Sequence, residues 1–334
     1  ENIYRATSQE KYDASLQRAE SLAAMAAKKE NSAETDELVS ALRATLVCWR
    51  YAYYRGTETA LAATGRLKVL ASNLKAQILA REDRPEVKVG YMCTEARVLR
   101  NQGKLIDAER ILQSIGPMPA ASRSKAQVDI ERGCVARYKH QYPQAILAYL
   151  DAAAVIDSAH GRVALVHYFA AAGCEMVLDH VLVRGSAEDK PFSKLHAALA
   201  SLRLLDDPRA RQRARRFPHQ YAYIRKHEAM IHAFSGEQRE AHEAMNDAAS
   251  VMKTLGSRKG VTLIAYSRAV LAAVLRDDEE VIRWCEEARD LSEGYYPPGV
   301  ERAKELLDRL ADRTQHALYS EVKELGIVDR KSVV

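Results

Sequence analysis

A short pattern of small and large residues returns along this chain at intervals of roughly 40 residues, and few folds can use such a pattern. Arg97 to Asn101 close one helical stretch, Gly103 breaks it, and Ala108, Leu112 and Ile115 follow at helical spacing. A small residue at Ala108 lets two helices approach closely, and the larger residues fill the space beyond it. The order repeats with Gly133 and Ala136 in a first helix, His140-Gln141-Tyr142-Pro143 as the turn, and Ala145, Tyr149 and Ala152 in the second. It returns at Gly236, with Ala241, Met245 and Ala248 at offsets of five, nine and twelve. Weaker copies have Arg276-Asp277-Asp278 before Val281, Cys285 and Ala288, and Gly56 before Leu61.

With only 9 Pro and 15 Gly in 334 residues, long helices can run between these turns. Helical spacing predicts helices over 8–30, 35–55, 57–80, 86–102, 105–115, 122–139, 143–157, 161–183, 191–205, 209–234, 238–254, 260–275, 278–292 and 298–324. Pro208 and Pro218 are expected to bend or split the tenth. Three regions follow: an N-terminal helix in 1–34, a repeat region in 35–293, and a closing helix with a tail in 294–334. Pro297-Pro298 is expected to separate the repeats from that closing helix. Its charged face of Glu301, Lys304, Glu305 and Asp308 can meet water, as the end of a repeat stack requires.

The turn glycine, the alanine five residues later and the large residue four beyond it resemble the tetratricopeptide repeat (TPR) family. The resemblance covers about Asp36 to Glu293. It implies an all-α fold, a right-handed α-solenoid of antiparallel helix pairs in a TPR-like superhelix. The spacing is longer than the family's usual period: Ala145 follows Ala108 by 37 residues and Val281 follows Ala241 by 40. The proline that usually ends a repeat is mostly missing, so the resemblance is to degenerate repeats of the kind found in regulators and sensors.

Signatures of catalysis are scarce. There is no phosphate-binding G-x-x-x-x-G-K-[ST] loop, no G-x-G-x-x-G and no G-x-S-x-G elbow. His227 and His232 are five residues apart, about 140° around a helix, which does not suit joint metal ligation. Glu175, Asp179 and His180 sit in an apolar stretch, where pairing with arginines of a neighbouring helix is the simpler expectation than a catalytic carboxylate pair. No enzyme and no cofactor is expected. Cys48, Cys93, Cys134, Cys174 and Cys285 are widely spaced and odd in number, which suits buried thiols in a cytoplasmic protein. The apolar stretch from Val163 to Val183 carries His167, Glu175, Asp179 and His180, too polar for a bilayer, so no membrane is expected. The chain begins at Glu1, which fits a piece of a longer protein. Its oligomeric state is not written in the sequence.

Two basic features point to a partner. Arg209, Arg211, Arg213, Arg215 and Arg216 crowd together before Phe217, His219, Tyr221 and Tyr223. Such a cluster suits a solvated face, an anion or acidic-peptide contact, or nucleic acid. In the TPR family the first helix of each pair lines the concave surface. Carried onto this sequence, that places Arg43, Arg50, Tyr54, Arg97, Arg100, Asn101, Glu131, Arg137, Tyr138, Tyr223, Lys226 and Tyr266 inward. Leu46 and Arg50 occupy places where a chaperone-tail clamp needs lysine and asparagine, which argues against that role. The expected function is a protein- or peptide-binding repeat domain with a basic, tyrosine-bearing groove for an acidic or C-terminal segment, serving as the sensor or scaffold of a bacterial regulator. Its alternatives are a transcriptional regulator that touches nucleic acid through Arg209–Arg216, and a structural adaptor that oligomerises. The net charge of +5 permits an acidic partner without requiring nucleic acid.

Overall fold

The structure, a computed structural model, describes residues 35–119, 122–156, 217–234, 237–275 and 277–311, with single positions within 17–21, 165–175 and 212–215. Among the described residues it is all-helical. The elements are α1 (Thr35–Arg55), α2 (Glu58–Arg81), α3 (Pro85–Asn101), α4 (Leu105–Gln113), α5 (Arg123–Tyr138), α6 (Tyr142–Ala153), α7 (Pro218–Phe234), α8 (Gln238–Thr254), α9 (Arg258–Leu275), α10 (Asp278–Ser292) and α11 (Pro297–Ala311). None is long and apolar enough to cross a membrane. The expected helices at 8–30, 161–183 and 191–205 lie outside the continuously described residues.

Local chemistry sets the helix ends. Asp36 and Glu37 in the first turn of α1 oppose its dipole. Gly56 stops that helix at φ +61°, where a side chain is disfavoured. The hydroxyl of Thr57 accepts the Ala60 N–H and opens α2. Ser122 does the same for Lys125 at the start of α5. His140 takes the left-handed conformation after α5 at φ 59°, and its ring Nδ1 lies 3.0 Å from the Tyr142 hydroxyl. Pro218 is the first residue of α7, while Arg215 lies in a turn and Phe217 in a bend. The helix expected from 209 therefore does not run through Pro218, whose ring is tolerated only in a first turn.

Neighbouring helices pack in pairs, α1 with α2, α3 with α4, α5 with α6, α7 with α8, and α9 with α10, and α10 also packs on α11. The repeated small positions sit at the crossings. Ala108, Ala145, Ala241 and Val281 are fully buried, and Leu112, Tyr149, Met245 and Cys285 fill the next turn. In the first pair the register is displaced by one residue. Ala60 and Ala63 are buried there, while Leu61 is partly buried at the edge of the core. The side chains of Cys48, Cys93, Cys134 and Cys285 are buried.

First helices also touch first helices: α1 with α3, α3 with α5, α7 with α9, and α9 with α11. The row then closes on itself, because α9 packs against α1. At this seam Arg258 donates to the Gly56 carbonyl at 3.0 Å and lies over the Tyr295 ring at 4.5 Å. The Tyr53 hydroxyl sits 2.7 Å from the Asn101 carbonyl and 2.5 Å from that of Tyr295. Pro297-Pro298, expected to separate the closing helix from the repeats, open α11, and their rings lie close to Gly103 at the end of α3. Glu301, Lys304, Glu305 and Asp308 of α11 are exposed, as expected.

Gly133 marks the tightest crossing. A Cβ there would lie 2.4 Å from Tyr149 Cε1 and 3.1 Å from the Ala145 carbonyl oxygen. Gly133→Ala should therefore destabilise the protein by about 1–3 kcal/mol. Gly65 is exposed in α2 and a Cβ there meets nothing within 4 Å. Gly65→Ala should instead stabilise by about 0.5–1 kcal/mol. Denaturant midpoints of the two variants check both signs.

Candidate functional site

The first helices converge on an internal chamber of about 100 Å³. Helix α1 contributes Arg50, Tyr51 and Tyr54, α3 contributes Arg97 and Arg100, and α5 contributes Arg137 and Tyr138. From the other side come His219, Tyr223, Lys226 and His227 of α7, Lys259 of α9 and Arg302 of α11. Tyr168 and Glu175 complete the described lining together with Gln220 and Leu263. Eight of the twelve residues expected to face inward thus meet in one place, Glu131 pairs with two of them, and Tyr266 is not in the described lining. Asn101 is buried beside it, and its side-chain oxygen accepts from the Lys259 ammonium at 2.6 Å. Arg43 lies elsewhere, on an adjoining groove of about 370 Å³ between α1, α3 and α5 that shares Arg50 with the chamber.

The arginines are interior groups. Arg100 is 5% exposed and Arg137 8%. Two carboxylates hold them. Glu131, 1% exposed, accepts from Arg97 Nε at 2.8 Å and lies 3.5 Å from Arg100. Glu175 accepts from Arg137 at 2.7 Å and from Arg302 at 3.1 Å. Burial alone would raise both acids, but Arg97 and Arg100 hold Glu131, and Arg137 and Arg302 hold Glu175, below the ordinary carboxylate range. The expected pairing of Glu175 with arginines of neighbouring helices is what the structure has; Asp179 and His180 lie outside the described residues.

Among the described residues, seven cations and the Glu175 carboxylate line the chamber, and Glu131 pairs with Arg97 and Arg100. Their field is felt at Tyr138. The guanidinium carbons of Arg100, Arg137 and Arg302 lie 5.0, 5.2 and 5.1 Å from its ring centre. Its hydroxyl is 2.9 Å from that of Tyr296. Burial disfavours the phenolate, yet Lys259 and these three arginines pull the Tyr138 pKa below its usual value. Lys259 responds in the opposite sense. Burial is the main cause, with Arg100 and Arg137 adding repulsion against the attraction of Tyr138, and its pKa falls to about 8. Its ammonium lies 5.0 Å from the Tyr54 ring centre and 4.9 Å from that of Tyr296.

Lys259, Arg302, His219 and His227 were not among the expected groove residues. Lys259 sits seven residues before Tyr266 on the same face of α9, so the register of Tyr266 offered a signal for it. Arg302 had none, because its helix reads as a solvent-facing end piece. Of the basic cluster, Arg215 is exposed with its guanidinium 5.6 Å from the Tyr221 ring centre. Arg209, Arg211, Arg213 and Arg216 lie outside the described residues. No family model matches the chain, and no curated protein shows significant similarity to it.

His219 in the first turn of α7 is 7% exposed, edge-on to Tyr51 with ring centres 5.0 Å apart. Burial pushes its pKa down to about 4. A base with a depressed folded pKa contributes stability above its unfolded value near 6.5, and that stability is lost as pH falls toward 4. The protein should be about 2 kcal/mol less stable at pH 5 than at pH 7 through this group alone. Urea unfolding of wild type and His219→Gln at the two pH values measures it: the substitution should remove most of the difference.

Proposed function

We propose that this chain is a TPR-like helical-repeat interaction domain, a right-handed α-solenoid, whose basic concavity binds the acidic segment or C-terminal end of a protein partner. The observation that carries this reading is the convergence of cations from α1, α3, α5, α7, α9 and α11 on one chamber. Cations in a protein interior are costly unless matched by opposite charge. A ligand carboxylate or other anion in the chamber would add opposite charge beside them. Arginine with tyrosine is also the side-chain pair most enriched at binding hot spots. The contacts of first helix with first helix support the repeat architecture. The four buried thiols support a reducing, cytoplasmic setting. The domain acts by binding rather than by catalysis, as the sensor or scaffold part of a bacterial regulator.

The adjoining groove extends the reading. Val39, Leu42, Leu46 and Val87 give it apolar walls, and Arg43 and Arg123 add charge. Arg50 is common to groove and chamber. An acidic end in the chamber can therefore continue into a segment with apolar side chains along the groove.

Reversing the charge of Arg97 or Arg137 would strand Glu131 or Glu175 and test folding rather than binding. Lys226→Met is the better probe, since it removes a charge and keeps an apolar stem. A fluorescent glutamate-rich peptide should bind the wild-type chain, and about tenfold more weakly to Lys226→Met, the loss of one charge-assisted contact. A lysine-rich peptide of equal length should not bind. Equal anisotropy changes with both peptides would overturn the reading.

A further inference from the structure

We propose that Lys259, in the chamber wall, is a modification site: its amine takes up carbon dioxide reversibly and becomes a carbamate. This goes beyond the reading of the chamber as a peptide site. Its test uses no peptide, so either can fail without the other.

The surroundings of the amine are the first argument. Lys259 is 5% exposed and lines the chamber from α9. Other lysines of the protein sit against carboxylates, Lys68 on Glu95, Lys125 on Asp129 and Lys139 on Glu109. Lys259 pairs with no carboxylate among the described residues. Its hydrogen bond runs to the Asn101 side-chain oxygen at 2.6 Å, and the ring centres of Tyr54 and Tyr296 lie 5.0 and 4.9 Å from its nitrogen. Burial beside an amide and two rings, with no acid, favours the neutral amine over the ammonium, and the neutral form is the nucleophile. Its pKa of about 8 agrees: burial is the main cause, and Arg100, Arg137 and Arg97 add repulsion against the attraction of Tyr138. Such an amine is neutral in about a fifth of molecules at pH 7.4, against about one in a thousand for an ordinary lysine.

The product suits the same surroundings. The Nζ lone pair attacks the carbon of carbon dioxide, a carbon–oxygen π pair moves onto oxygen, and the nitrogen gives a proton to water. One neutral amine and one carbon dioxide thus yield one carbamate anion and one proton, with nothing oxidised or reduced. The carbamate nitrogen keeps one N–H, for which the Asn101 oxygen is already in place as acceptor. The positive field of Arg100, Arg137 and Arg97 that opposes an ammonium here favours an anion.

Size and charge also fit the reactant. Carbon dioxide is uncharged, so it enters the interior without the cost of burying an ion. It adds three heavy atoms, and a chamber of about 100 Å³ has room for them.

The test equilibrates the full chain with isotopically labelled carbon dioxide at fixed pressure. Carbamates are fixed by alkylation with a trialkyloxonium salt and located by peptide mass spectrometry. At pH 7.4, Lys259 should carry at least tenfold more label than the exposed Lys104, Lys253 and Lys304. At pH 6 its label should fall more than tenfold, because the neutral amine becomes scarce. In denaturing urea the preference should vanish, since it comes from burial and not from neighbouring sequence. Lys259→Met should lose the mapped label and keep that of the exposed lysines. Its melting temperature should not fall, because an apolar chain replaces a buried cation. An unlabelled Lys259, or one labelled no more than the exposed lysines, would overturn the proposal. So would a preference that survives in urea.

Discussion

One nearly inaccessible carboxylate organises the centre of this protein. Glu131 sits on α5 and accepts from Arg97, with Arg100 of the same helix 3.5 Å away. Both arginines come from α3, so a single acid fixes the angle between two first helices and aims two guanidinium groups into one chamber. Without Glu131, two arginines would be left in the interior with no counter-charge, and the loss would be several kcal/mol. Glu175 plays the same part for Arg137 and Arg302, which are 165 positions apart in the chain. These two acids make a basic interior possible.

The chamber also depends on the seam where the row of helices meets itself. Arg258 on the Gly56 carbonyl, Tyr53 between two carbonyls, and Lys259 on Asn101 join α9 and its neighbours to α1 and α3. Apart from Tyr53 to the Asn101 carbonyl, these contacts span more than 150 residues of sequence. Within each half, by contrast, packing is apolar and local, as in the alanine crossings of α4, α6 and α8.

What the sequence disclosed follows the same division. Local features were readable. The predicted ends of α1, α8 and α10 match the structure, and the small residues Ala108, Ala145 and Ala241 sit at crossings as the spacing implied. The first pair misled by one residue, since Gly56 suggested Leu61 and the structure buries Ala60. The inward face of α1, α3, α5 and α7 was legible from repeat register, which is why Arg50, Tyr54, Arg97, Arg100, Arg137, Tyr138, Tyr223 and Lys226 lie together. Register cannot reveal contacts made by closure. Arg302 enters the chamber only because α11 folds back over α5, and Lys259 only because α9 reaches α3. Nor does register tell an exposed arginine from one sealed behind a carboxylate. That distinction depended on Glu131 and Glu175: the sequence suggested arginine partners for Glu175 without saying which, and none for Glu131.

The positive charge gathered at the chamber acts on stability and on binding through the same atoms. Unliganded, Arg100, Arg137, Arg302 and Lys259 stand as like charges around one chamber; burial is the main cause of the depressed Lys259 pKa, and Arg100 and Arg137 add repulsion to it. These groups come from both sides of the seam: Arg100 and Arg137 from α3 and α5, Lys259 and Arg302 from α9 and α11. Their repulsion therefore pushes on the joint that closes the chamber. On the proposed reading, an anion held in the chamber would reverse the sign of that force and draw α3 and α5 toward α9 and α11. Because this attraction would exist only when the two sides are together, it would be a differential energy for the closed form, which is the quantity a ligand needs to shift a conformational equilibrium.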